Sequence, residues 1–159
     1  TQHAKLTASD PVANDYFGSS VSLSSDGNTA VIGAYGKNSG QGAAYVFTRS
    51  GTTWTQQAKL LASDPAAYDQ FGNSVSLSSD GNTALIGAYN KTGTYSQQGA
   101  VYVFTRSGTT WTQQAKLTAS DPAEYDYFGY SVSLSSDGNT ALIGAYGKNS
   151  AQGAVYIEV

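Results

Sequence analysis

The chain has no cysteine and no methionine, only three prolines and a single histidine, and charged residues make up just 12% of it. Absence of cysteine removes disulfides and thiolate nucleophiles together. One histidine, His3, cannot build a His-rich zinc site, and a Ser-His-Asp arrangement would have to rest on a terminal edge strand. Eight Lys and Arg against 11 Asp and Glu leave a formal charge of −3. No basic face is available to a phosphate backbone, so nucleic acid is not an expected partner. No apolar run approaches the roughly 18–20 residues that cross a bilayer, and no charged segment followed by an apolar one opens the chain. Membrane insertion is not expected either.

What is present is 18 glycines, 12 tyrosines and many Ser and Thr in 159 residues. That composition describes short strands and tight turns, an all-β chain long enough to bury one core. Internal repetition then organises it. Ala4-Lys5-Leu6 returns as Ala58-Lys59-Leu60 and Ala115-Lys116-Leu117, and Phe17-Gly18 as Phe71-Gly72 and Phe128-Gly129. Asp26-Gly27-Asn28 and Gly33-Ala34-Tyr35 likewise have two copies each, at 80–82 and 137–139 and at 87–89 and 144–146. The period is that of a propeller blade. The chain reads as a single repeat domain, 1–159, with an N-terminal outer strand at 1–6 and units at about 7–60, 61–117 and 118–159. The second unit is lengthened where Asn90 to Gln97 replaces Gly36 to Gly40, which marks an exposed loop.

Each unit has the periods of four strands. Val75 and Leu77 alternate with Ser74, Ser76 and Ser78, and Asp80-Gly81 supplies a hairpin turn. Thr83 to Ala88 is continuously apolar, as a strand covered on both faces should be. Val101 and Val103 face one way, Tyr102 and Phe104 the other. After the turn at Ser107 to Thr110, alternation from Trp111 to Leu117 leaves one wet face, as expected for the outer edge of a blade. The first outer strand, Thr1 to Leu6, has no blade before it, and the third unit supplies three strands. The count is three blades of four, closed if the N-terminal strand completes the last blade of the same or another chain. A ring of three is steeper than propellers of 4 to 8 blades, so self-association is expected: two chains making a six-bladed ring, or head-to-tail growth.

Phe71-Gly72-Asn73-Ser74-Val75-Ser76-Leu77 followed by Ala84-Leu85-Ile86-Gly87-Ala88-Tyr89 resembles the FG-GAP repeat of integrin α-type propellers and their bacterial relatives. The other two units match as well. The Trp-Asp strand ending of WD-type repeats is missing. The resemblance implies a propeller whose Phe packs between blades, ligands held by loops or inter-blade clefts, and a secreted or cell-surface setting. Many such repeats carry an Asp-rich calcium loop, but here it is reduced to Ser24-Ser25-Asp26-Gly27-Asn28 and its copies. One carboxylate in so short a turn cannot supply six to eight oxygen ligands, so neither calcium nor another cofactor is expected. Asp26, Asp80 and Asp137 read as turn formers.

His3 stands where the sister units have Gln57 and Gln114, so a catalytic role for it is not expected. The paired acids Asp10 and Asp15, Asp64 and Asp69, and Asp121 and Asp126 read as turn caps rather than as three active sites. The chain is read as non-enzymatic. Carboxylates and rings do meet in the loops after the outer strands. Asp15 and Tyr16, Tyr68 and Asp69, and Asp126 and Tyr127 are candidate ligand-binding residues for a glycan or cell-surface protein, carbohydrate being held by ring stacking and polar groups. The alternative is that these rings only pack blades together. Trp54 and Trp111 read as covers for the outer strands. Asn90-Lys91-Thr92 is an N-glycosylation sequon in the expanded loop. Two readings stay open, a self-assembling module and a lectin-like propeller.

Overall fold

A computed structural model describes residues 1–159. Eleven strands form three antiparallel sheets. The first holds β1 (Val21–Leu23), β2 (Thr29–Ala34), β3 (Ala43–Ser50) and β4 (Thr53–Leu60). The second holds β5 (Ser74–Leu77), β6 (Thr83–Ala88), β7 (Ala100–Ser107) and β8 (Thr110–Leu117), and the third β9 (Phe128–Leu134), β10 (Ala141–Ala145) and β11 (Ala154–Glu158). Strands are neighbours in chain order within every sheet. The first strands of successive blades lie side by side while the outer strands splay apart, as around a propeller axis.

Turn chemistry holds each inner hairpin. Asp26 accepts hydrogen bonds from the Ser24 hydroxyl at 2.6 Å and the Asn28 backbone N–H at 2.9 Å, and Asp80 and Asp137 repeat the pattern. Their role as turn formers is thus observed. The apolar run of the second strand is buried throughout in β2 and nearly so in β6. In β10 Leu142 is exposed and Gly144 half-buried, because that strand faces no following blade.

Burial is concentrated between blades. One cluster joins Val31, Ala44 and Val46 of the first sheet to Phe71, Leu77, Ile86, Tyr102 and Phe104 of the second. Another joins Leu85 and Val101 to Phe128, Ala141 and Ile143. Phe71, fully buried, meets Tyr102 and Phe104 edge-on at 5.4 and 6.1 Å. The Phe of the Phe-Gly pair therefore does pack between blades. Trp54 and Trp111 lie half-buried on the outer strands beneath Arg49 and Arg106.

Residues 1–6 depart from the expected outer strand: they join no sheet, and the third sheet has three strands rather than four. A strand exists only with a ladder partner, and the edge that would accept these residues, β11, belongs to the far blade. They instead lie against the first blade, where Leu6 and Ala8 pack with Ala30, Ile32 and Tyr45. Leu60 and Ala62 make the same contact with the second blade.

Candidate functional site

The loops leading into each blade are built on a buried lysine. In the first, Lys37 donates to the Asp15 carboxylate at 2.8 Å and to the Asp10 carbonyl, while Asp15 also accepts the Val12 N–H at 2.7 Å. Asp10 accepts from the Tyr45 hydroxyl and from Lys59 of the outer strand, both at 2.7 Å. The second blade repeats this with Lys91, Asp69, Asp64, Tyr102 and Lys116. In the third, Lys148 holds Asp126 at 3.0 Å and Tyr156 donates to Asp121 at 2.6 Å. The outer-strand lysine has no counterpart there, and the Asp121 side chain is 65% exposed against 44% and 45% for Asp10 and Asp64.

The candidate ligand residues are thereby divided. Asp15, Asp69 and Asp126 are buried with their carboxylates turned to lysine. Tyr16 and Tyr68 are exposed, and Tyr127 donates its hydroxyl to Gln97 while stacking on Tyr146. Asn90 donates its side-chain amide to the Tyr68 carbonyl at 2.7 Å.

The lysines are what pattern reading passes over. All six fall into two threefold sets, Lys5, Lys59 and Lys116 and Lys37, Lys91 and Lys148, in a chain with little other charge. That recurrence was the available signal. A scarce cation kept at one register of every unit has a fixed partner more often than a solvated one.

The network sets the response to pH. Lys59, then Tyr45, donate to Asp10 and hold its carboxyl far below the usual range. Burial pushes Asp64 up, but hydrogen bonds from Lys116 and Tyr102 outweigh it and the net shift is downward. Tyr156, then Lys148, lower Asp121. Burial works against the charge of Lys37 and Lys148, yet their carboxylate partners leave both raised. Burial and a bonded carboxylate raise Tyr45 and Tyr102. Depressed carboxylates give stability that is full above their unfolded value of about 4 and lost as pH falls below it; raised Lys and Tyr give stability lost as pH climbs past about 10. Melting temperature should therefore be flat from about pH 5 to 9 and fall on both sides. A steep loss between pH 7 and 5 would contradict this origin.

The blade junctions form a second repeated structure. Between the first and second blades, Phe71 N–H donates to the Gln41 carbonyl at 3.1 Å, the Ser20 hydroxyl to the Gly72 carbonyl at 2.8 Å, and Leu77 N–H to the Ser22 hydroxyl at 3.0 Å. Between the second and third, the same positions bond: Phe128 to Gln98, Ser74 to Gly129, Leu134 to Ser76. Each outer face of the chain exposes one half of this set. On the first blade, Val21 and Leu23 are 68% and 57% exposed, whereas Leu77, equivalent to Leu23, is buried. On the third, Leu142 and Val155 are exposed, whereas their equivalents Leu85 and Val101 are buried. An apolar hollow of about 530 Å³ lies on the first face, bordered by Leu6, Val21, Leu23, Ile32 and Trp54.

Comparison with known proteins agrees with this architecture. A family profile described as the FG-GAP repeat matches three times, at residues 1–47, 54–104 and 111–157. No curated protein sequence matches the chain. Among solved structures, the periplasmic gluconolactonase PpgL of Pseudomonas aeruginosa superposes with a TM-score of 0.59 at 16% identity, over 88% of this chain and 38% of its own. Sqt1 of Saccharomyces cerevisiae gives 0.56 at 13% over 91% and 32%, and the hydrazine synthase of Kuenenia stuttgartiensis 0.54 at 12% over 91% and 33%. Likeness at this identity establishes the fold alone. The chain spans about a third of the length of these neighbours.

Proposed function

Because the chain belongs to the FG-GAP repeat family and carries three propeller blades, we propose that it is a non-enzymatic, self-assembling scaffold in which a second copy docks its first blade on the third. The observation that carries this reading is the junction set, made twice within the chain and left in complementary halves on its two outer faces. Transposed by one repeat, the rules of the inner junctions pair Phe17 N–H with the Gln152 carbonyl, the Ser131 hydroxyl with the Gly18 carbonyl, and Leu23 N–H with the Ser133 hydroxyl. Residues 1–6 then lie beside β11 with Leu6 opposite Val155, as Leu117 lies opposite Val101. Lys5 takes the place of Lys59 and Lys116, and supplies the lysine that Asp121 lacks. Apolar burial drives the contact, and the ladder removes an open sheet edge. Two copies give six blades, within the usual range of propellers, and the head-to-tail contact closes if its rotation is half a turn. The family and the absence of any helix long and apolar enough to cross a membrane are compatible with a secreted or surface scaffold.

Native mass spectrometry and light scattering test this. The expected particle is a multiple of the 16.5 kDa chain, with a six-bladed ring in electron micrographs of the dimer. Lys5→Asp should weaken association, and Lys5→Asp with Asp121→Lys should restore part of it. A monomer at all micromolar concentrations would dispose of the reading.

A further inference from the structure

Where the innermost strands begin, the three blades bring together residues outside the ion-pair loops. Ser19, Asn73 and Tyr130 occupy one register of the repeat, Tyr35 and Tyr89 another, and Gln70 a third; these six line a hollow of about 330 Å³. All six are uncharged. The size falls at the lower end of small-ligand pockets, and its lining mixes aromatic faces with amides and a hydroxyl, as such pockets do.

The rings form a bowl. Tyr89 meets Tyr130 at 5.2 Å with planes 79° apart, and Tyr130 meets Tyr146 at 4.5 Å and 66°. Behind them, parallel stacking braces two platforms: Tyr16 on Tyr35 and Tyr127 on Tyr146, each at 4.9 Å. Rings so braced present large contact area with little side-chain entropy left to lose. Packing alone does not account for this surface, since Tyr130 remains 49% exposed. Of the tyrosine hydroxyls, those of Tyr45, Tyr102 and Tyr156 bond to aspartates and that of the bracing Tyr127 to Gln97. At the bowl, the Asn73 amide is fixed by donating to the Tyr130 carbonyl at 3.0 Å, and its oxygen accepts the Tyr89 N–H at 3.5 Å, with a second lone pair left for a ligand hydroxyl.

We propose that this bowl binds one neutral saccharide, its pyranose face on the tyrosines and its hydroxyls on Gln70, Asn73 and Ser19. The absence of charge among the six disfavours phosphorylated, sulfated or uronic ligands, whose ionic groups would be desolvated without a counter-charge. Rings set at 55° to 79° to one another do not form the parallel ridges on which a polyproline helix docks, so the bowl suits a compact polyol better than a peptide. The site lies within one chain and does not depend on assembly.

Calorimetric titration and saturation-transfer NMR with cellohexaose, xylohexaose, mannohexaose, maltohexaose and chitohexaose provide the test. At least one should bind with one site per chain, whatever the mass of the particle. Tyr89→Ala should weaken that binding by about ten-fold, from the loss of a stacking face. Asn73→Leu should weaken it several-fold. Tyr89→Phe, which keeps the ring and so the fold, should retain most of the affinity. Failure of all five sugars at millimolar concentration, selective binding of a sulfated or proline-rich ligand instead, or indifference to both Tyr89→Ala and Asn73→Leu would overturn the proposal.

Discussion

Lys91→Ala should be among the most damaging single substitutions in the chain, costing about 3–5 kcal/mol. Lys91 lies in the middle blade with its ammonium on the Asp69 carboxylate at 2.7 Å and on the Asp64 carbonyl, and the two side chains are only 8% and 6% exposed. Removing the cation leaves Asp69 charged and buried, with one backbone N–H, that of Ala66, as its remaining donor. Desolvation of that charge was offset by the ammonium, which the variant lacks. For a chain of this length the loss corresponds to a fall in Tm of roughly 10 °C. Lys91→Met with Asp69→Asn should recover much of it, because the amide oxygen still accepts from Ala66 and no ion remains buried. A double variant no more stable than Lys91→Ala would mean that the lysine acts through its stem and packing, not its charge. Thermal melts followed by circular dichroism distinguish the two.

This dependence lies outside what strand patterns reveal. The four-strand unit, its turns at Asp26, Asp80 and Asp137 and the buried second strand could be read from alternation, because each is local and recurs three times. Lys37 lies 22 residues from Asp15 and 27 from Asp10, and only the folded loop brings them together. A short turn at Lys37–Gly40, with Asn38 and Ser39 at φ of 50° and 58°, positions the lysine; its equivalent is Lys148–Ala151. Nothing in residue alternation signals such left-handed pairs. Likewise, the Ala-Lys-Leu that ends residues 1–6 matches the outer strands of the other units, but pairing requires an edge that the same chain does not bring to it. Candidate carboxylates at Asp15, Asp69 and Asp126 were visible as recurring acids beside rings. Their direction was not, since a loop side chain turns toward whichever charge the fold buries next to it.

Two glycines in one register separate fold from assembly. A Cβ on Gly87 would stand 2.2 Å from the Gly129 carbonyl oxygen of the next blade and 2.1 Å from the Ser74 hydroxyl that bonds to it. Backbone cannot yield as a side-chain tip can, so Gly87→Ala should force the second and third blades apart and cost about 2–3 kcal/mol. On Gly144 the same atom meets only Ser131, whose hydroxyl at 2.3 Å can rotate away. Gly144→Ala should therefore leave the Tm of an isolated chain within a degree or two of the parent, a change of well under 1 kcal/mol. In the proposed assembly, however, Gly144 stands against the Gly18 carbonyl of the second copy, as Gly33 stands against that of Gly72. There the methyl group should be as damaging as in Gly87→Ala, and association should weaken by at least an order of magnitude. Sedimentation of Gly144→Ala beside the parent reads this directly. An unchanged dimer in that variant would show that the third blade's open face is not where the copies meet, even if they do associate.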